Sequence, residues 1–515
     1  MIRTAWLGLL GAIIASPALA QTPPAANRLV VALNADIRSL EPGVNRDANT
    51  DAVIHQVFEG LVAFRADLGV GPALADSWEV GDEGKTYTFK LRAGALFHNG
   101  QPITSAEVKW MWDRLVQGAA WACRTTFDGS SGVKVVAVET PDPRTVVFRL
   151  DQANALFIRQ LANIQCHVVA AHPGSVDASG KWTTPIGSGP LRLREWRRSE
   201  YVLLERFADY KPSTAPASGF SGARNMLVDQ VMFRIIPDST AREAALTTGA
   251  VDVLARIEPE QIEPLRQRGM RIVTTPGLGW AALLVQTDDP VMANPKIRQA
   301  LAHAISLKDI AEARAAGMTQ ANPSGVSNST AFYDPRFAEW PAYDPARAAA
   351  LLREAGYRGQ PIKLQTNRQY PGMYQNAVVI EAMLTAAGFK VELEVLDWAT
   401  QLSNYLNGRF QLQSFAFSVR FDPTQMYTTF IGNKAAAKTA QYGDPEAIAL
   451  LAESARITDD TARREIFARI HAKVRADMPI IGLYYDPVLE AIHPRVQGYV
   501  SWPANQPITW GVRTR

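Results

Sequence analysis

The sequence predicts an α/β protein with more than one domain, and three observations support this expectation. The chain has 515 residues, 47% of them hydrophobic and 20% charged, which is a globular composition on a chain too long to fold around one core. After about residue 234 short strands alternate with helices, as they do in α/β domains. Before that point, alternating polar and apolar residues indicate hairpins. We therefore expect two or three domains.

The first twenty residues have the pattern of a secretory signal peptide. Arg3 precedes an apolar run over 5–15, and an Ala-x-Ala cleavage site stands before Gln21. The apolar run has about ten residues, whereas a membrane-spanning helix needs about 20. We therefore expect a cleaved signal peptide over 1–20 rather than a retained anchor. Because no cysteine lies near the cleavage site, we expect no lipid anchor and a mature protein in the periplasm.

The first strand is predicted at Leu29–Leu33, and a helix follows it. Ligand groups in α/β domains gather beyond the carboxyl ends of strands. Asn34, Asp36 and Arg38 follow this strand directly and are candidate ligand-binding residues. A solvated turn accounts for Asp36 and Arg38 equally well, so both interpretations stay open.

Residues 72–115 contain a predicted hairpin followed by a capped helix. Apolar and polar residues alternate on both sides of the acidic turn at 81–84, and Thr104 and Glu107 have the spacing of a capping box. The order of SWEV, the acidic turn, GKTYTFKLR and FHNG resembles the signature region of the family 5 extracellular solute-binding proteins. These are the dipeptide- and oligopeptide-binding receptors of ABC importers.

Three further segments resemble the same family. They are the Gly-Ser-Gly-Pro turn at 187–190, Asn-Pro-Lys-Ile-Arg-Gln-Ala-Leu at 294–301 and Tyr-Gly-Asp-Pro-Glu at 442–446. The resemblance therefore extends over essentially the whole mature chain. Proline after an asparagine or aspartate in the last two segments is also typical of a helix start.

The resemblance implies a two-lobed periplasmic-binding-protein fold, also called a Venus flytrap, with an extra subdomain inserted in the first lobe. The expected boundaries are 28–59, 186–279 and 486–515 for lobe I, 60–185 for the inserted subdomain, and 280–485 for lobe II. It also implies a monomeric receptor that captures a peptide or peptide-sized polar solute between its lobes. The receptor would deliver this solute to the permease subunits of an importer in the inner membrane.

Composition and motifs argue against other classes. The formal charge of +3 comes from scattered basic residues, so we expect no nucleic-acid partner. The motifs of hydrolases, metalloproteases and nucleotide-binding enzymes are missing, and the histidines have no metal-ligand spacing. We expect no enzyme activity, cofactor or metal. A secreted hydrolase, or a periplasmic chaperone or sensory receptor with the same fold, remains the alternative.

Cys123 and Cys166 are the two cysteines of the chain. An even pair in an oxidising compartment favours a disulfide, which typically contributes about 2–4 kcal/mol. Two separately buried thiols remain the alternative.

Lobe II offers candidate ligand-binding residues at its predicted strand ends. Arg368 and Tyr370 follow a strand, and Arg368 is suited to bind a carboxylate with two hydrogen bonds, although a plain surface arginine fits the same pattern. The resemblance implies that Trp398 packs on the ligand. Trp280 and Tyr485 lie where the chain crosses between lobes and could stack on ligand, although core packing is the commoner role of such residues.

In peptide-binding members of the resembled family, an aspartate four residues before the proline of an acidic-Pro pair binds the ammonium group of the peptide. Asp422-Pro423 is such a pair here, but Val419 stands at the aspartate position. A buried ammonium without a countercharge is costly. Arg420 favours a ligand with a carboxylate or phosphate if it faces the cleft, and is structural if it faces outward or pairs with Asp422. Asp422 could serve an amine through a shifted loop or could cap a helix. We therefore favour an opine-like or other amino-acid conjugate over a simple peptide.

Overall fold

The computed structural model describes residues 27–515, except 45–47, 119–120, 122, 130–132, 165, 167, 316, 369 and 371. The predicted signal peptide lies outside these residues. In the described part of the chain, no helix is both long enough and apolar enough to cross a membrane.

Most of the strands are short, and two are much longer than the rest. In chain order they are β1 (Arg28–Leu33), β2 (Val62–Phe64), β3 (Val70–Pro72), β4 (Ala75–Gly81), β5 (Thr86–Leu91), β6 (Val135–Asp142), β7 (Thr145–Leu150), β8 (Leu191–Arg197), β9 (Tyr201–Arg206), β10 (Gln230–Ile235), β11 (Val253–Leu254), β12 (Arg271–Val285), β13 (Ile362–Thr366), β14 (Val391–Val395), β15 (Leu412–Phe417), β16 (Ile480–Ile492), β17 (Val496–Gln497) and β18 (Arg513–Thr514).

The α-helices lie between some of these strands. They are α1 (Ala48–Val57), α2 (Ser105–Gln117), α3 (Arg124–Phe127), α4 (Leu156–Leu161), α5 (Ser239–Thr247), α6 (Pro259–Gln267), α7 (Pro295–Ala304), α8 (Leu307–Ala315), α9 (Pro345–Glu354), α10 (Met373–Ala386), α11 (Trp398–Asn407), α12 (Pro423–Tyr427), α13 (Pro445–Ser454) and α14 (Asp460–Asp477).

Local signals in the sequence account for several of these elements. The predicted hairpin is confirmed, because β4 and β5 pair antiparallel around the turn. The capping box at Thr104 and Glu107 is present at the start of α2. Asn294 and Asp444 each cap a helix whose first residue is proline, as predicted, and Asp344 caps α9 in the same way.

The main sheet has ten strands in the order β14-β13-β15-β12-β16-β11-β1-β10-β9-β8, and β4, β5, β7 and β6 form a separate sheet. The two long strands β12 and β16 pair antiparallel and connect the two ends of the main sheet. Their pairing is irregular between Pro276 and Trp280. A Cβ on Gly277 would lie 2.1 Å from the carbonyl oxygen of Asp486, so only glycine allows the two backbones to approach this closely.

Separate hydrophobic cores lie on the two sides of this irregularity. Alternate residues of β12 enter different cores: Ala281 and Leu283 belong to one, and Trp280 and Ala282 to another. This alternation with period two buries both faces of the strand. There are two further cores. One contains residues of β1 and of the inserted four-stranded sheet, and the other contains residues of α5 and α6. The chain is thus an α/β protein of two lobes.

The position of the lobe boundaries along the chain stays a prediction. The disulfide between Cys123 and Cys166 is present, with a Cα–Cα distance of 5.5 Å, and it lies within the segment predicted as the inserted subdomain. The disulfide prediction is therefore confirmed, and the alternative of two separately buried thiols is excluded.

Candidate ligand-binding cleft

Strand directions place a cleft at the junction of the lobes. In lobe I, β1, β10 and β11 are parallel, and β11 runs antiparallel to β16. In lobe II, β13, β14 and β15 are parallel, and β15 runs antiparallel to β12. The carboxyl ends of both strand sets therefore point toward the irregular part of the β12–β16 pairing, between Pro276 and Trp280. Ligand sites of open α/β sheets lie at such carboxyl ends.

One cavity of about 510 Å³ lies where the two sets of strand ends meet. Lobe I contributes Glu258 and Glu260, and the lobe II lining consists of Arg314, Arg368, Tyr370, Gly372, Tyr374 and Gln375. The cavity therefore has guanidinium and phenol groups on one wall and carboxylates on the other.

Arg368 is held by an aromatic neighbour rather than by an acid. Its Nη2 donates to the Tyr374 hydroxyl at 2.9 Å, and its guanidinium lies 4.3 Å from the centre of that ring. Among the residues that the structure describes, no carboxylate forms an ion pair with Arg368. Arg368 lines the cavity without an acidic partner among these residues, and its role in ligand binding stays a prediction.

Tyr370 and Trp398 form an aromatic pair at the same strand ends. Their ring centres lie 4.6 Å apart, and Trp398 also lies 5.7 Å from Phe415. The backbone N–H of Tyr370 donates to Asn367 Oδ1 at 2.9 Å, which orients the loop after β13. Tyr370 is 45% exposed, so this pair presents a ring to the cleft.

On the lobe I wall, Asn34 accepts a hydrogen bond from Asn49 Nδ2 at 2.9 Å and lines a smaller cavity. Asp36 has both oxygens engaged: Oδ1 accepts from Trp196 Nε1 at 3.1 Å and Oδ2 from the backbone N–H of Ser199 at 3.0 Å. Asp36 thus fixes the hairpin of β8 and β9 to the loop after β1. The backbone N–H of Arg38 donates to a threonine hydroxyl, and its side chain is exposed.

Trp280 and Tyr485 lie in the core of lobe II. Trp280 is 0% exposed and Tyr485 is 2% exposed, and their ring centres lie 6.2 Å apart. The indole N–H donates to Asn322 O at 3.2 Å, and the phenol donates to Ser324 O at 3.1 Å. Both polar groups are thus satisfied inside the protein. Core packing, the alternative that the sequence left open, describes their position.

Asp422 is also buried, in an ion-pair cluster. Its oxygens accept hydrogen bonds from Arg463 at 2.9 and 2.7 Å, and Arg159 Nε lies 3.1 Å from Oδ2. Asp422 caps α12 by accepting from Thr424 N. Burial raises the pKa of Asp422, but Arg463 and Arg159 outweigh it and hold that pKa below its usual value. The helix-capping interpretation describes this residue, and no shifted loop brings it to the cleft.

The residues just before Asp422 lie at the contact between the two lobes. Val419 packs against the core of lobe I, as does Phe421. Arg420 Nη1 donates to Ser418 Oγ at 2.8 Å and to Val419 O at 3.0 Å. The structure therefore brings Arg368, Tyr370 and Trp398 together at one wall of the cleft, but it separates them from Trp280, Asp422 and Tyr485.

Apart from Asn34, sequence reasoning missed the lobe I residues that line the two cavities. Glu258, Glu260 and Arg256 follow β11, which has only two residues. A strand that short has no recognisable alternation, so the strand-end rule could not be applied to it. Arg242 lies on α5 and Asn505 near the end of the chain, and both reach the end of β11 only through the fold.

Two lobes that face each other across crossing strands, with polar and aromatic side chains at the opposed strand ends, define a bilobal solute-binding protein. The family model described as bacterial extracellular solute-binding proteins, family 5 Middle, matches residues 69–438. The chain belongs to this family and is a solute-binding receptor of the class that serves ABC transporters.

Known relatives agree with this assignment. The glutathione-binding protein GsiB of Pectobacterium atrosepticum is 26% identical over 521 residues, covering 98% of this chain and 96% of that protein. HbpA2 from Haemophilus parasuis has a TM-score of 0.83 at 24% identity, covering 95% of this chain and 100% of HbpA2. The binding protein AgaA in complex with agropinic acid, from A. tumefacien R10, has a TM-score of 0.69 at 22% identity, covering 95% and 99%.

Proposed function

We propose that the mature protein is a monomeric periplasmic receptor that captures an amino-acid conjugate bearing carboxylates and delivers it to the permease of an ABC importer. One observation carries the choice of ligand. Asp422, the carboxylate closest in sequence to the Val419 position, forms buried ion pairs with Arg463 and Arg159. At the cleft, by contrast, Arg368 pairs with no acid in the described structure.

The opposite wall supports a ligand that is not purely anionic. Glu258 and Glu260 line the same cavity as Arg368, so an ammonium group would find a carboxylate on lobe I. A zwitterionic conjugate would then contact both lobes and stabilise the closed state through its higher affinity for it.

Ligands named for two relatives have this chemistry. One relative is named for glutathione and another was solved with agropinic acid. Both compounds are carboxylic acids derived from amino acids. They are therefore the first candidates to test, and a plain dipeptide is the natural comparison.

The test is a thermal-shift screen of refolded, ligand-free protein. Ligand at about 100 times Kd adds roughly 2.7 kcal/mol to native stability, so binding appears as a rise in Tm. We expect glutathione or agropinic acid to raise Tm, and Arg368→Gln to remove most of the rise. Arg358→Gln is the matched control, because Arg358 is exposed just before β13, at the opposite end of that strand.

A rise with plain dipeptides alone, unchanged in Arg368→Gln, would overturn the choice of ligand. The same samples test the enzyme alternative, since we expect each compound to be recovered intact by mass spectrometry. Turnover by the purified protein would favour the secreted hydrolase. Binding without uptake by cells that contain the matching permease would favour the sensory receptor.

A further inference from the structure

A second, smaller cavity lies on the lobe I side of the cleft, at the carboxyl ends of β1 and β11. Its lining includes Asn34, Arg242, Arg256 and Asn505. The cavity volume is about 50 Å³, whereas one water needs about 10–15 Å³ on this measure. The cavity therefore accommodates a group of a few heavy atoms, such as a carboxylate or a phosphate, and not a whole solute.

Asn505 orients the guanidinium of Arg256. With its amide turned to satisfy both contacts, Asn505 Oδ1 accepts from Arg256 Nε at 2.9 Å and Nδ2 donates to Ala255 O at 2.8 Å. Asn505 adopts a left-handed backbone with φ of 53°, a conformation that asparagine tolerates better than most residues. The contact engages Nε and leaves the two terminal nitrogens of Arg256 for the cavity.

Arg242 is held in a similar way by backbone carbonyls. Its Nη1 donates to Ile236 O at 2.8 Å and to Pro237 O at 2.6 Å, both in the loop after β10. In the part of the chain that the structure describes, neither Arg242 nor Arg256 forms an ion pair with a carboxylate. Two positive charges therefore line one cavity without an ion-paired carboxylate, although Asp238 partly favours the charge of Arg242.

The surroundings of these arginines disfavour their charge. Burial lowers the pKa of Arg256, and burial also lowers the pKa of Arg242 against a partial opposing effect of Asp238. An anion in the cavity would offset this cost. The amino end of the ten-residue helix α1, at Ala48 and Asn49, lies at the same cavity and adds its partial positive charge.

We propose that Arg256 and Arg242 form an anion subsite on lobe I that binds a second acidic group of the solute, with Asn505 as a positioning residue. The inference rests on the proposed function, because the first acidic group is assigned to Arg368 on lobe II. The solute therefore carries at least two acidic groups, and these contact opposite lobes. A carboxylate and a phosphate are both compatible with the cavity and are distinguished by the test.

The experiment measures Kd by calorimetry for the mature wild-type protein and the variants Arg256→Gln, Arg256→Lys and Asn505→Gly. The probes are glutathione, its mono-ester with one carboxylate blocked, and inorganic phosphate. We expect Arg256→Gln to weaken glutathione binding roughly 10- to 100-fold, the range of a charge-assisted hydrogen-bond pair. It should leave the mono-ester unchanged, because that compound lacks the second acid.

Arg256→Lys should recover part of the affinity, since it keeps the charge without the oriented guanidinium. Asn505→Gly tolerates the left-handed backbone and should weaken glutathione binding while leaving the Tm of ligand-free protein close to wild type. Arg266→Gln is the matched control, because Arg266 is exposed on α6 and paired with Glu263. Circular dichroism establishes that each variant is folded.

The outcomes separate this inference from the proposed function. Glutathione binding that falls with Arg368→Gln but not with Arg256→Gln would overturn the subsite alone. If no conjugate binds, the effect of millimolar inorganic phosphate on Tm tests the subsite separately. A rise in the Tm of wild type that is absent in Arg256→Gln supports the subsite, for a phosphate-bearing solute. No response to phosphate in that case would overturn both proposals.

Discussion

Arg159 Nε lies 3.1 Å from Asp422 Oδ2, and this buried ion pair joins α4, beside the four-stranded sheet, to the start of α12 in lobe II. Arg159 also contacts Asp460 at 2.9 Å. Phe64 and Phe421 stack beside the pair with ring centres 4.8 Å apart. The contact between the inserted segment and lobe II is thus both ionic and apolar.

Arg159→Gln should destabilise the protein and loosen this contact. Asp422 would keep Arg463, so we expect a loss of about 1–3 kcal/mol rather than the larger cost of an unpaired buried charge. Denaturant unfolding measures the free energy, and small-angle scattering of ligand-free protein should show a larger radius of gyration. Asp460→Asn is the control, because Asp460 is 50% exposed and should cost under about 1 kcal/mol. Equal losses of unfolding free energy in Arg159→Gln and Asp460→Asn would contradict the assignment of the Arg159–Asp422 pair as the main ionic contact.

Glu490 should make stability depend on pH. It is 2% exposed, and burial raises its pKa to about 7, from 4.5, although Tyr499 donates to it at 2.8 Å. Because the folded pKa is the higher one, this contribution to stability is complete below pH 4.5 and is lost as pH rises through about 7. Unfolding free energies from pH 4 to 8 measure it.

Glu490→Gln should flatten that profile, because the amide stays neutral at every pH. Glu263→Gln serves as control, since Glu263 lies on the surface and should leave the profile as it is in wild type. A profile that keeps its slope in Glu490→Gln would assign the pH dependence to another group.

Reduction of the Cys123–Cys166 bond should lower the free energy of unfolding. The bond closes a loop with a sequence separation of 43 residues, for which the chain-entropy model gives up to about 4 kcal/mol. We expect dithiothreitol to lower Tm in wild type and to have no effect on a Cys123→Ala, Cys166→Ala double variant. An unchanged Tm of the reduced wild type would show that the surrounding core alone holds this segment.

Trp280 and Trp398 should respond differently to removal of their side chains. Trp280→Ala empties a fully buried site and should cost about 3–5 kcal/mol. Trp398→Ala should cost less stability but weaken solute binding by up to roughly tenfold, the loss of one aromatic contact. Urea unfolding and calorimetry with glutathione separate the two effects. If folded Trp280→Ala binds glutathione more weakly and Trp398→Ala binds it normally, the assignment of Trp280 to the core and of Trp398 to the cleft is wrong.

Hairpins, helix caps and the family could be predicted because their signals are local. The β4–β5 hairpin and the caps at Asn294 and Asp444 each depend on residues within a few positions of one another. Arg368 and Tyr370 were also proposed from their place after a strand, and both line the larger cavity. None of these inferences required knowledge of long-range contacts.

The two-lobed α/β fold, the receptor class and the pairing of the only two cysteines could all be predicted from the sequence alone. Which candidates face the cleft depended instead on the tertiary structure. Asp422 became a buried ion-pair partner because Arg159 and Arg463, distant in sequence, converge on it. Arg256 joined the cleft because β11 ends beside β1. Burial and charge pairing are set by such distant contacts, and no local pattern records them.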